Sequence, residues 1–242
     1  MEDLIALIKE NVDTKNPDSF FPLTDIYNEG WLLRLALSKG LLQKELKCKK
    51  DEKWFSEAQL MSPFLHGKLR ETRTHADAVI GSFKFEDNTT TGVKIDKTNF
   101  SFFYAIEAKI SAPLSKKINH CDDYNQATRY IGCLAKMAKD AELSDESFKN
   151  LGLYVVTPES KSKTVKKEID KEKIRQQLED RIRNYSKEND LNDFNEWKEW
   201  WKERKGVFLN NIKIEHVSWE EIVKVDDKLY VFYQNCLKYN KK

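Results

Sequence analysis

The chain has 242 residues, 34% of them charged and 40% hydrophobic, with a net charge of +2. That hydrophobic share argues against disorder, and the length suits one large domain that buries roughly 70% of its unfolded surface. Gly and Pro number only 8 and 5, which points away from a turn-dense all-β fold. The near-balanced charge excludes a histone-like polycation, so any contact with nucleic acid must be a local patch. No apolar run approaches the roughly 18 residues of a membrane helix, and the acidic start Met1-Glu2-Asp3 lacks a signal-peptide pattern. A cytoplasmic protein without membrane contact is the expectation. The four cysteines, Cys48, Cys121, Cys133 and Cys236, form no C-x-x-C pair and read as free thiols.

In chain order, residues 2–10 carry a short amphipathic helix pattern that Asn16-Pro17-Asp18 breaks. A second helix, capped by Thr24 or Asp25, carries Ile26, Trp31, Leu32, Leu33, Leu35 and Leu37 and stops at Gly40. A lysine-rich surface stretch covers 43–53, and 54–65 reads as a short helix ended near Ser62-Pro63. Residues 73–85 read as a strand, 86–92 as a hairpin loop, 93–95 as a second strand and 99–110 as a third, strongly apolar one ended by Pro113.

A helix follows over about 122–139, with Ala127, Tyr130, Ile131, Leu134 and Ala138 at helical spacing. Residues 151–156 form a short continuous apolar run, the pattern of a buried strand. The span 159–205 is densely charged, and its apolar stripes predict two helices packed on the core as an insertion. Within it, the Trp197-x-x-Trp200-Trp201 group reads as helix packing rather than a platform for bases. Ile212, Ile214 and Val217 mark a last strand, and a terminal helix opens at Trp219. The expected fold is α/β, a mixed central sheet flanked by helices, with its core over about 20–158 and 207–242.

Glu107-Ala108-Lys109 interrupts the apolar strand from Phe102 to Ile110. Strand side chains alternate, so Glu107 and Lys109 share one face while Ile106, Ala108 and Ile110 share the other. A charged pair embedded in that way is costly unless it has a partner or a task. Asp77, on the preceding hairpin strand, can sit beside Glu107. Two carboxylates and an amine at one point suit a divalent cation and a phosphodiester, because magnesium takes oxygen ligands and acts as a Lewis acid on phosphoryl oxygens.

Asp77 followed by Glu107-x-Lys109 resembles the signature of the PD-(D/E)xK nuclease superfamily, the restriction-endonuclease-like fold. Glu29 matches the acidic residue that many members carry in the helix before the hairpin. Gln126 and Tyr130 match the Gln, and the Tyr four residues on, that many carry in the helix after the E-x-K strand. Residues four apart share one helical face. Ala76 replaces the usual Pro before the Asp. The resemblance spans residues 25–156, and extends to the final strand and helix from 212.

The resemblance implies a Mg²⁺-dependent endodeoxyribonuclease, with Mn²⁺ as a substitute ion and RNA as the alternative substrate. Asp77 and Glu107 are the implied metal ligands, Glu29 completes or tunes the site, Lys109 positions the attacking water, and Gln126 orients the lysine or a phosphate. Tyr130, Arg73, Lys116 and Lys117 are the candidate nucleic-acid contacts. A compact homodimeric restriction or defence enzyme fits the length, as does a subunit whose partner supplies target recognition. The competing class is a non-cutting binding or assembly module. Each residue also has a plainer role: a structural ion pair for Glu107 and Lys109, a ladder cap for Asp77, a favourable helix-dipole position for Glu29, a surface position for Gln126 and a core position for Tyr130.

Overall fold

The computed structural model describes residues 22–71, 74–112, 114 and 124–240. The expected helix at 2–10, Arg73, Lys116, Lys117 and Cys121 lie outside the described residues. Helices α1 (Leu23–Ile26), α2 (Glu29–Ser38) and α3 (Leu41–Glu45) occupy the region expected as one helix. Asn28 divides it: its amide donates to the carbonyls of Thr24 and Asp25, and its side-chain oxygen accepts from the Trp31 N–H. One side chain thus ends the first turn and caps the next helix. Gly40 separates α2 from α3 in the left-handed conformation, φ 67°, which glycine adopts without penalty.

Residues 54–65, expected to be helical, instead form strand β1 (Trp54–Leu60) and a loop. A short apolar run has no decisive period, and pairing settles its state: β1 runs antiparallel to β2 (Thr74–Gly81), from Trp54 opposite Ile80 to Leu60 opposite Thr74. The strand expected over 73–85 is divided. At Gly81, φ 114°, a Cβ would stand 2.3 Å from the Phe102 carbonyl oxygen, so only glycine lets the chain pass. Beyond it, β3 (Phe83–Phe85) and β4 (Val93–Ile95) pair as a separate two-stranded ribbon.

Strand β5 (Phe103–Ala108) is buried throughout. It is followed by α4 (Gln126–Asp140) and then by β6 (Leu151–Thr157), also buried at every position. The charged span contains three helices: α5 (Ser162–Glu168), α6 (Lys171–Glu188) and α7 (Asn192–Asn211). Strand β7 (Lys213–Ser218) completes the sheet. The expected terminal helix is two pieces, α8 (Trp219–Val223) and α9 (Asp227–Tyr239).

The architecture is a mixed α/β fold with a five-stranded sheet of order β1-β2-β5-β6-β7. Its first three strands pair antiparallel and its last three parallel. One face buries Ala78, Ile80, Tyr104 and Ile106 under Leu32 and Leu33 of α2, with Trp219 and Tyr233 of α8 and α9. The other buries Val79, Phe103, Ala105 and Val155 under Tyr130, Ile131 and Leu134 of α4, with Leu178 and Trp197 of α6 and α7 behind. Trp197 and Trp201 are buried against each other and against Phe194 and Phe208, so this tryptophan group is core. Cys48, Cys133 and Cys236 are free thiols, the last two buried. Among the described residues no helix is long and apolar enough to cross a membrane.

Candidate active site

The β2–β5 register pairs Ala78 with Ile106. One antiparallel step outward therefore sets Asp77 opposite Glu107 on the same face, where opposed Cβ atoms lie roughly 5 Å apart. Ile106, Ala108 and Ile110 join the core of the opposite face, as strand alternation requires. Like charges directly opposed destabilise a sheet, so the pair needs compensation.

Compensation is partial. Asp77 Oδ2 accepts the Ala108 N–H at 2.7 Å. Glu107 is buried, 1% exposed. Its Oε2 lies 2.5 Å from the Tyr130 hydroxyl, and its Oε1 touches the Lys109 ammonium as an ion pair. Lys109 is thus the one group that faces Oε1, and it also answers to the charge of Asp77.

Burial first, then the neighbouring charge of Glu107, pushes the Asp77 carboxyl up to about 7. Burial also raises Glu107, against the opposing pull of Lys109 and Tyr130, and Glu29 adds to the rise. Burial alone lowers Lys109, but the charges of Glu107 and Asp77 outweigh it and hold the ammonium above its ordinary value. Lys109 is therefore a cation, suited to orienting a nucleophile or neutralising charge rather than to taking a proton.

The Lys109 backbone is fixed on both sides. Its N–H donates to the Val156 carbonyl at 2.9 Å, and its carbonyl accepts the Trp219 indole N–H at 3.0 Å. Glu29 opens α2, capped by Asn28, and its charge acts on both Glu107 and Lys109. Gln126 is the first residue of α4, one turn from Tyr130 on the same face.

Tyr130 departs from its expected role. Its side chain is fully buried, so it offers no surface to nucleic acid. Burial and the charge of Glu107 push its hydroxyl well above the ordinary value, keeping it a proton donor. That single proton lies between Glu107 Oε2 and the His75 carbonyl, the latter at 2.8 Å. Tyr130 positions a carboxylate. The His75 ring is exposed and faces Gln59.

Three participants were not legible as such in the sequence. Trp219 pins the lysine backbone across 110 residues of chain, and no local pattern announces that. Thr157 continues the Lys109 row on β6, and its Oγ1 lies 2.8 Å from His216 Nε2 on β7. Glu57 on β1 stands opposite Asp77 by register, in the left-handed conformation at φ 56° and paired with Arg34 at 2.9 Å.

Among the described residues no group of three or more His, Cys, Asp and Glu is arranged to hold an ion. Asp77 and Glu107 are a pair, and a pair fits magnesium, which takes one or two carboxylates and keeps several waters. The surplus negative charge of two carboxylates against one ammonium points the same way, since a cation would relieve it. Comparison with protein-family models, curated proteins and solved structures gave no match.

Proposed function

We propose that this chain is a metal-dependent endonuclease of the PD-(D/E)xK type, hydrolysing phosphodiester bonds in DNA. The observation that carries the reading is the convergence of Asp77, buried Glu107 and Lys109, two carboxylates against one ammonium. The mixed sheet order, with Asp77 and the E-x-K triplet on adjacent antiparallel strands, supports the restriction-endonuclease-like assignment.

Asp77 and Glu107 would hold Mg²⁺ or Mn²⁺, which when bound supplies Lewis-acid activation of the phosphoryl group and of water. Lys109 orients the attacking water and stabilises the charge that develops on the phosphate. Tyr130 fixes Glu107, Glu29 adds negative potential, and Gln126, one turn before Tyr130 on α4, would orient the lysine or a phosphate. Hydrolysis is direct, with no covalent enzyme intermediate. Restriction or defence is the biological setting we favour, with a second copy or a partner protein supplying target recognition.

The test is cleavage of plasmid and linear DNA in Mg²⁺ or Mn²⁺ by wild type, Asp77→Ala and Lys109→Ala. Wild-type cutting that EDTA abolishes, and that falls at least ~100-fold in both variants, is the expected result. Equal cutting by wild type and Asp77→Ala would remove the assigned site. Tight DNA binding without cutting of DNA or RNA would favour the binding module.

A further inference from the structure

Helix α5 is short and two-faced. Val165, Glu168 and Ile169 are buried against the protein, while Lys163, Lys166 and Lys167 are exposed together at i, i+3 and i+4. Like charges at that spacing destabilise a helix. Lys173 adds a fourth ammonium in the first turn of α6, where the helix dipole disfavours a cation. These four lysines and Asp170 line a shallow depression of about 500 Å³. Asp170 is committed elsewhere, capping α6 by accepting the Lys173 N–H at 3.0 Å. None of the four ammonium groups forms an ion pair among the described residues, whereas Lys39, Lys97, Lys136 and Lys205 all do.

Unpaired charge alone does not select this patch, because Lys44, Lys47 and Lys50 beside Gly40 form a second one. Position separates the two. The second patch lies by Cys48, within reach of the charge of Lys213 at the start of β7, the far end of the strands from Lys109. The α5 patch adjoins the candidate site. The Asn125 side chain, one residue before Gln126, donates to the Glu168 carbonyl at 3.0 Å. Thr128 bonds Gln177 of α6 at 2.5 Å. Helix α5 packs on β7, where His216 stands in register with Val155 and Glu107. Adjacent strands are about 4.8 Å apart, so β7 lies roughly 10 Å from the Glu107 strand. A duplex carries about ten phosphate charges over the next ~17 Å of its axis.

We infer that the lysine face of α5 and the first turn of α6 docks the phosphate backbone of the nucleic acid flanking the scissile bond. Its place beside the site rests on the nuclease reading, while its affinity for the backbone does not. The surface is sequence-blind, since lysines meeting phosphates carry register and orientation but no base readout.

The experiment measures binding of the full chain to a fluorescent 20-base-pair duplex by anisotropy in EDTA, across a salt series. Wild type is compared with K163Q/K166Q/K167Q/K173Q and with a charge-matched variant of the far patch, K44Q/K47Q/K50Q combined with K49Q from the same exposed stretch. All eight lysines are exposed, so unchanged thermal midpoints verify folding. The expected result is a loss on the order of 10–100-fold for the α5–α6 variant at 0.1 M salt, with the salt slope shallower by about 3. The far-patch variant stays within about threefold of wild type. Equal losses in the two variants would overturn the inference, as would an α5–α6 variant that binds like wild type, or a wild type that binds no DNA. Loss of anionic phosphatidylserine vesicle binding with DNA binding intact would overturn it in favour of a membrane. If the binding contrast holds and no DNA is cut in Mg²⁺, the surface stands and the nuclease reading falls. If DNA is cut and the contrast is absent, the reverse holds.

Discussion

Two buried glutamates stand on the same side of the sheet, and α4 reaches both. Arg129 turns to Glu71 and, one residue on, Tyr130 turns to Glu107. Around Glu71 each carboxylate oxygen is matched. Oε1 accepts from Arg181 at 3.1 Å, and Oε2 from Ser62 at 2.8 Å and Arg129 at 3.3 Å. Arg181 also donates to the Leu69 carbonyl at 2.5 Å and lies over the Phe64 ring, tying α6 to the loop after β1. Around Glu107 the sum differs: two carboxylates, Asp77 and Glu107, share one ammonium, that of Lys109. The charge-matched Glu71 cluster ties elements together, whereas the Glu107 cluster keeps an excess of negative charge that a cation would relieve.

The largest expected effect tests the charge-matched half. Glu71→Ala leaves Arg181, 1% exposed, as an uncompensated buried cation, and such losses cost about 3–5 kcal/mol. Urea denaturation of the variant measures it. A loss below ~1 kcal/mol would show that Glu71 does not tie these elements together.

The second effect sharpens the over-negative half through pH. The folded-state carboxyl of Asp77 titrates near 7, against an ordinary 3.8. Between those values the unfolded chain releases a proton that the folded, metal-free protein retains. Stability from this group is full below about pH 4, falls as pH rises, and levels off above about pH 7. The expected fall is on the order of 2 kcal/mol after discounting for solvent at a partly exposed group. Denaturation of Asp77→Asn from pH 4 to 8 in EDTA should lack that component. An unchanged pH profile would mean that burial and Glu107 do not hold the Asp77 carboxyl above its ordinary value.

The two clusters also differ in how visible they are in the sequence. Glu107 and Lys109 could be read because two charges interrupt a continuous apolar strand, and Asp77 because it lies on the hairpin strand before them. Glu71 gives no such signal, since its partners Arg129 and Arg181 lie 58 and 110 residues away. Tyr130 fell on a legible helical stripe, yet only the packed structure tells a buried hydroxyl on a carboxylate from an exposed ring. The β6 run and α4 were readable from continuous burial and helical period. Strand β1 was not, because Trp54 to Leu60 becomes a strand through its pairing with β2. The break at Gly81 depends on the approach of Phe102, a contact made 21 residues later in the chain.

The most direct test of the excess-charge account is one preparation of Glu107→Gln, examined for both stability and cutting. Glutamine keeps the shape, removes a buried charge and leaves Asp77 to pair with Lys109. The account predicts a thermal stability equal to wild type or up to ~1 kcal/mol higher, together with loss of Mg²⁺-dependent DNA cleavage. A variant that cuts at the wild-type rate, or one that unfolds as Glu71→Ala should, would contradict it.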